Sequence, residues 1–247
     1  AMNKSWILLL LLHVLPVSAA ELTVSAASSL TEGFREIAGA YAARHPDARV
    51  DLNFAASGVL LQQVARGAPV DVLAFADQAT MDQAARRGLV DPATRQVFAR
   101  NALWVVVPPR TAAPPASLAA LAGPAVTRVT LGNPDSVPAG RYARQALQQA
   151  GLWPSLQPRL ILAQNVRQSL DYVARGEVDA GFVYATDALA MPGRVQRAFE
   201  VPLPGGIHYP LAMVKGSRNA DEARRFIAFV RSPAGQAILR RHGFGSP

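Results

Sequence analysis

An alternation constrains this chain more than any other feature. Beyond residue 20, apolar runs of strand length alternate with segments whose apolar residues recur at helical spacing. Residues 22–26 read as a strand. Leu30, Phe34, Ile37 and Tyr41 then share one helical face, which ends before Pro46. Residues 49–54 alternate as a strand, 59–66 are helical with Gly67 to stop them, 70–75 form a buried strand, and 80–87 form a helix closed by Gly88. Repeated β-α-β units pair their strands in parallel, so the expectation is a mostly parallel sheet covered on both faces.

A second series starts at 103–107 and runs into a proline-rich loop (Pro108, Pro109, Pro114, Pro115). Strand-like 127–131 leads to the turn Asn133-Pro134-Asp135. Pro138 opens a helix that runs to Gly151. Residues 159–162 and 180–184 read as strands on either side of a helix over 166–175. After a breaker-rich linker at 202–206, a strand over 209–214 returns to the first series, and two helices split by Ser232-Pro233 finish the chain. The fold class is therefore α/β with two lobes, each a mostly parallel sheet flanked by helices. Lobe 1 is expected over 21–102, completed by 206–247, and lobe 2 over 103–205. Ligands of open α/β sheets sit where strand C-termini meet helix N-termini, which puts the expected site in the cleft between the lobes.

The first twenty residues do not belong to this pattern. Asn3-Lys4-Ser5 precedes an apolar stretch from Trp6 to Val17, and Ser18-Ala19-Ala20 supplies small residues before Glu21. This reads as a secretory signal peptide over 1–20, cleaved after Ala20. The apolar run is shorter than the ~20 residues a membrane span needs. An exported chain without cysteine has no disulfide, no lipid-bearing N-terminal cysteine and no thiolate ligand, so its core must suffice alone. The net charge of +8 comes from arginines scattered singly or in pairs. Without a concentrated basic face or aromatic platforms, nucleic acid is not an expected partner.

Nothing in the sequence asks for catalysis. His13, His45, His208 and His242 are isolated, and none has metal-ligand spacing. There is neither a G-x-S-x-G elbow nor a phosphate-binding loop. The informative residues are small and polar, and they stand at strand-to-helix junctions. Ser28 and Ser29 lie between the first strand and first helix, with Ser29 and Glu32 at the spacing of a capping box. Ser57 repeats the arrangement before the second helix. Capping uses a hydroxyl oxygen as acceptor and leaves its proton for a ligand, while first-turn N–H groups point the same way. In the second series, Val137-Pro138-Ala139-Gly140 and Asn165-Val166-Arg167 open helices, and Tyr184 ends a buried strand. Hydroxyls and helix N-termini converging on one cleft suit an anion.

The segments 26–30, 54–58, 67–71, 76–78, 134–139 and 181–187, with Tyr209-Pro210 and the last helix, resemble in order the periplasmic molybdate-binding proteins of ABC transporters. The likeness runs from residue 22 to the C-terminus. It implies a periplasmic binding protein fold and a site in which Ser29, Ser57 and Tyr184 donate hydroxyl protons while Ala139 and Val166 donate backbone N–H. Ala56 and Gly58 stand where some relatives carry further serines. It further implies molybdate or tungstate as ligand, no cofactor, no directly ligated metal, the permease of an ABC transporter as partner, a monomeric state and a periplasmic location.

None of the five positions offers a carboxylate to accept the proton that phosphate carries near neutral pH. Sulfate is smaller than molybdate and would leave its hydrogen bonds long. Arg141 and Arg167 stand near the expected donors but are read as pointing away from the ion. The competing readings are a same-fold binder of sulfate, phosphate or a small carboxylate, a hydrolase or transferase using Ser29 or Ser57 as nucleophile, and a sensor domain.

Overall fold

The computed structural model describes residues 20–247; the signal-peptide reading of 1–20 lies outside them, save for Ala20. The chain opens with strand β1 (Ala20–Ala27), a 3-10 turn (Ser28–Leu30), helix α1 (Thr31–Arg44), β2 (Ala48–Ala55), α2 (Ser57–Ala65), β3 (Val72–Ala74) and α3 (Gln78–Arg86). Strands β4 (Gln96–Asn101) and β5 (Leu103–Val107) follow, separated by Ala102 alone. Next come β6 (Val129–Gly132), α4 (Pro138–Gln149), the short α5 (Trp153–Leu156), β7 (Leu160–Ala163), α6 (Val166–Ala174), β8 (Ala180–Tyr184), α7 (Ala185–Ala190) and β9 (Gln196–Glu200). Strand β10 (Ile207–Met213) and helices α8 (Ala220–Arg231) and α9 (Pro233–Arg241) end the chain.

These strands form two five-stranded sheets, ordered β2-β1-β3-β10-β4 and β7-β6-β8-β5-β9. Both are built alike. Three strands run parallel (β2, β1, β3 and β7, β6, β8), and two more add antiparallel. The parallel trio of each sheet is the β-α-β alternation of the sequence. The antiparallel strands include those that cross between sheets, β4 into β5 and β9 into β10, so each sheet is mixed. Strands β4 and β9 were not expected. They lie at sheet edges, where Arg100, Arg197 and Glu200 interrupt the apolar pattern.

Parallel strands covered on both faces become almost wholly buried. In β1, Leu22, Val24 and Ala26 are fully buried, and so is Ser25 between them. Helix α1 lays Phe34, Ile37 and Tyr41 on this sheet, and α8 adds Phe226. The Phe34 ring meets Phe98 at 5.6 Å and Phe226 at 6.3 Å, and Tyr41 meets Phe226 at 5.4 Å. Each buried aromatic contributes about 1.5–3 kcal/mol, so the C-terminal helices are fixed to the first sheet. Helix α4 lies close on β6: a Cβ on Gly140 would stand 1.7 Å from the Gly132 carbonyl oxygen. No helix among the described residues is long and apolar enough to cross a membrane.

Candidate functional site

The C-terminal ends of the parallel strands from both sheets meet at one small cavity of about 10 Å³. Ser29 and Ser57 line it from the side of the first sheet, and Ala139, Val166 and Tyr184 from the second. All five residues expected from the sequence are thus brought together. The helical segments that begin at Ser28, Ser57, Pro138 and Val166 all start on its wall. First-turn N–H groups have no acceptor inside their own helix, so those of Ala139 and Val166 remain for an occupant. The aligned peptide dipoles add a partial positive charge there. Among the described residues, no charged side chain lines the cavity.

Each hydroxyl has a defined setting. The Ser57 oxygen accepts from the Ala76 N–H at 3.0 Å, which leaves its own proton unused. The Ser29 oxygen lies 2.8 Å from the Tyr209 hydroxyl. Neither serine caps its helix, contrary to the capping expectation. The residue before α1 is Leu30 and the one before α2 is Ala56, neither with a side-chain cap. Ser28–Leu30 already coil as a 3-10 turn, which takes Ser29 out of the capping position, and Ser57 is itself the first residue of α2. Glu32, the other half of the expected capping box, turns to Arg167 instead.

Tyr184 differs from both serines. Its phenol oxygen is the one buried side-chain polar atom without a hydrogen-bond partner among the described residues. Burial pushes its pKa well above the ordinary tyrosine value, and the phenol Tyr209 and the carboxylate Asp77 push the same way. It is therefore a proton donor at any physiological pH. Its backbone is held by the Asp187 carboxylate, which accepts from the Tyr184 N–H at 2.9 Å.

Arg141 and Arg167 point away from the cavity and bridge the two sheets' helices. From α4, Arg141 donates to Asp77 at 2.9 Å and to the Thr80 hydroxyl at 2.7 Å; Asp77 also caps α3 through the Thr80 N–H at 3.1 Å. From α6, Arg167 donates to Asp187 at 2.6 Å, to both oxygens of Glu32 at 2.8 and 2.6 Å, and to the Ser29 carbonyl at 3.4 Å. Burial opposes the charge of Glu32, but the hydrogen bond and charge of Arg167 prevail and hold its pKa below the ordinary value. A third tie is backbone to backbone. The Gly58 N–H donates to the Ser136 carbonyl at 2.9 Å, and a Cβ on Gly58 would lie 2.7 Å from that oxygen.

Several residues of this arrangement were not singled out as site residues. Tyr209, Asn101, Asp77, Glu32 and Asp187 act by touching lining residues or by joining the elements that carry them. Glu32 left a signal as half of the expected capping box, and Asp77, Asp187 and Tyr209 stand in the segments that carry the resemblance; Asn101 left none. The described histidines lie elsewhere: His45 stacks on Tyr41 at 4.5 Å, His208 bonds the Gly205 carbonyl at 3.0 Å, and His242 meets Glu36 at 2.6 Å. Among the described residues, no imidazole is bonded to either serine.

This geometry has parallels among known proteins. A family model described as bacterial extracellular solute-binding protein matches residues 22–245. The molybdate-binding protein ModA of Escherichia coli (strain K12) is 36% identical over 232 residues, which cover 91% of this chain and 88% of that protein. Among solved structures, the periplasmic molybdate-binding protein of Azotobacter vinelandii has a TM-score of 0.79 at 24% identity, covering 92% of this chain and 99% of that one. The sulfate-binding protein SubI of Mycobacterium tuberculosis H37Rv has a TM-score of 0.77 at 18% identity, covering 91% and 86%. The last two show a shared fold, and binders of different oxyanions use it.

Proposed function

The chain belongs to the family of bacterial extracellular solute-binding proteins, and from that premise we propose that it captures molybdate or tungstate between two lobes and delivers the ion to the permease of an ABC transporter. The lobes are 21–102 with 206–247, and 103–205. The ligand-binding residues are Ser29, Ser57 and Tyr184 through their hydroxyls and Ala139 and Val166 through their backbone N–H groups. The observation that carries this reading is the Tyr184 hydroxyl, a buried donor with no acceptor in the protein, on a cavity walled by helix N-termini. A buried donor left unsatisfied costs about 1–3 kcal/mol. A tetrahedral dianion supplies the acceptor, and all five donors fit such an ion.

The ion must leave its hydration shell, and fixed donors replace the lost water. Each hydrogen bond to the charged ligand contributes about 1.5–3 kcal/mol. Donors from both lobes make affinity depend on closure, so the ion selects the closed form. An anion with four oxygens needs more room than about 10 Å³, so the lobes part slightly around it. Among the described residues, none that lines the cavity offers a carboxylate, which disfavours phosphate with its remaining proton. Serines bonded to Tyr209 and Ala76 rather than to a base are not activated nucleophiles, and the reading includes no turnover. The chain is placed in the periplasm as a monomer, with residues 1–20 removed as a signal peptide.

Thermal unfolding of the chain from Glu21 onward tests this, with molybdate, tungstate, sulfate and phosphate at equal concentration. A ligand of the folded state adds RT ln(1 + [L]/Kd), about 2.7 kcal/mol at one hundred times Kd. Large shifts with molybdate and tungstate and small ones with the others are expected. A larger shift with sulfate or phosphate would overturn the ligand, and no shift with any oxyanion would overturn the function.

A further inference from the structure

We propose that Asn101 and Tyr209 fix the direction of the hydrogen bond at Ser29, so that this serine can only donate into the cavity; this rests on the oxyanion reading above. Asn101 is the last residue of β4, at the first crossing between the sheets. Its side-chain Oδ1 accepts from the Ala102 N–H at 2.9 Å. That bond identifies the oxygen end of the amide, so the other end is Nδ2, a donor without a lone pair. Nδ2 lies 2.9 Å from the Thr186 hydroxyl and 3.2 Å from the Tyr209 hydroxyl. The Tyr209 oxygen must therefore accept. Tyr209 is fully buried, and the other partner of its hydroxyl is Ser29 Oγ at 2.8 Å. Its single proton goes to Ser29. The Ser29 oxygen is then an acceptor toward Tyr209, and its own proton is left for the cavity.

At Ser57 the same result is reached by another route, because a backbone N–H can only donate and Ala76 supplies one. Tyr184 is a third donor. Asn101 and Tyr209 never touch the ion. They are positioning residues that make the hydroxyl set one-directional and fit it to a fully deprotonated oxyanion. An anion that keeps a proton finds no acceptor.

The test is a double-substitution cycle read by calorimetric titration with molybdate. Asn101→Asp puts an acceptor where the amide donated. The phenol then donates to that carboxylate, Ser29 must donate to the phenol, and serine lone pairs face the ion. Tyr209→Phe removes the intermediary and lets Ser29 turn freely. We expect about tenfold weaker binding for Tyr209→Phe and about hundredfold weaker for Asn101→Asp. The double variant should bind several-fold tighter than Asn101→Asp alone, because the Ser29 proton is released while the added charge stays. Losses that multiply, or an Asn101→Asp variant as tight as the wild type, overturn the relay. If Asn101→Asp does not fold, Tyr209→Phe decides alone through competition by phosphate against molybdate. The relay predicts that phosphate gains relative to molybdate, and an unchanged ratio overturns it. A wild type that binds no molybdate overturns the functional reading and the relay together, whereas a binding wild type with multiplied losses overturns the relay only.

Discussion

Two hydroxyls on opposite sides of the cavity answer differently to deletion. The Tyr184 phenol has no partner in the protein, so Tyr184→Phe removes no internal hydrogen bond. Its ligand-free melting temperature should equal or exceed the wild type, while molybdate affinity falls about ten- to hundredfold. Ser57→Ala should lose similar affinity and also about 1 kcal/mol of ligand-free stability, because it strands the Ala76 N–H. Melting both variants with and without molybdate separates the two kinds of residue; equal ligand-free losses would place Tyr184 among ordinary core residues. The five residues on the cavity were readable because each stands at a strand-to-helix junction, and junction positions follow from periodicity. The contacts of Tyr209 with Ser29 and of Asn101 with Thr186 were not, because those partners lie 180 and 85 residues away. Local pattern carries no record of which buried ends meet across a sheet.

Among elements, two glycines of close approach separate folding from closing. Gly140 brings α4 onto β6 within one half of the molecule, where a Cβ would meet the Gly132 oxygen at 1.7 Å. Gly140→Ala should therefore cost about 1–3 kcal/mol or more of ligand-free stability. Gly58 lies between the halves, against Ser136. Gly58→Ala should leave ligand-free stability within about 0.5 kcal/mol and weaken molybdate binding, because its methyl group holds the halves apart. Calorimetric melting and titration of both variants check the contrast, and equal melting losses would refute it. The parallel trios were legible from alternation: the inner strands β1, β3, β6 and β8 read as buried runs, and the edge strands β2 and β7 fall in step with the helices beside them. The edge strands β4 and β9 were not, since half-exposed residues with arginines among them give no such run.

For the whole molecule, the closed arrangement depends on arginines that cross between halves, Arg141 to Asp77 and Arg167 to Glu32. The Glu32 carboxylate is partly exposed, so its pair with Arg167 contributes about 0–1 kcal/mol and weakens with salt, whereas Asp77 is buried against Arg141 and is screened less. Glu32→Gln should reduce molybdate affinity by less than about tenfold, since Arg167 keeps its bond to the buried Asp187. The pH dependence follows from the depressed Glu32 pKa. A carboxyl lowered on folding stabilises above its unfolded value and stops doing so as pH falls through the folded one. The melting difference between wild type and Glu32→Gln should hold from neutrality to about pH 4.3 and decline below it as pH falls through the lower folded value; a difference lost already near pH 6 would exclude the pair as its source. The Tyr184 hydroxyl has a consequence at this scale too. A receptor that reports by closing also has a false-alarm rate, set by how often it closes on nothing. Closing without an ion strands that buried donor, at about 1–3 kcal/mol, and so thins the misreporting population about 5–150-fold. On the proposed site, the group that senses the ion also keeps the transporter from being called by an unloaded protein.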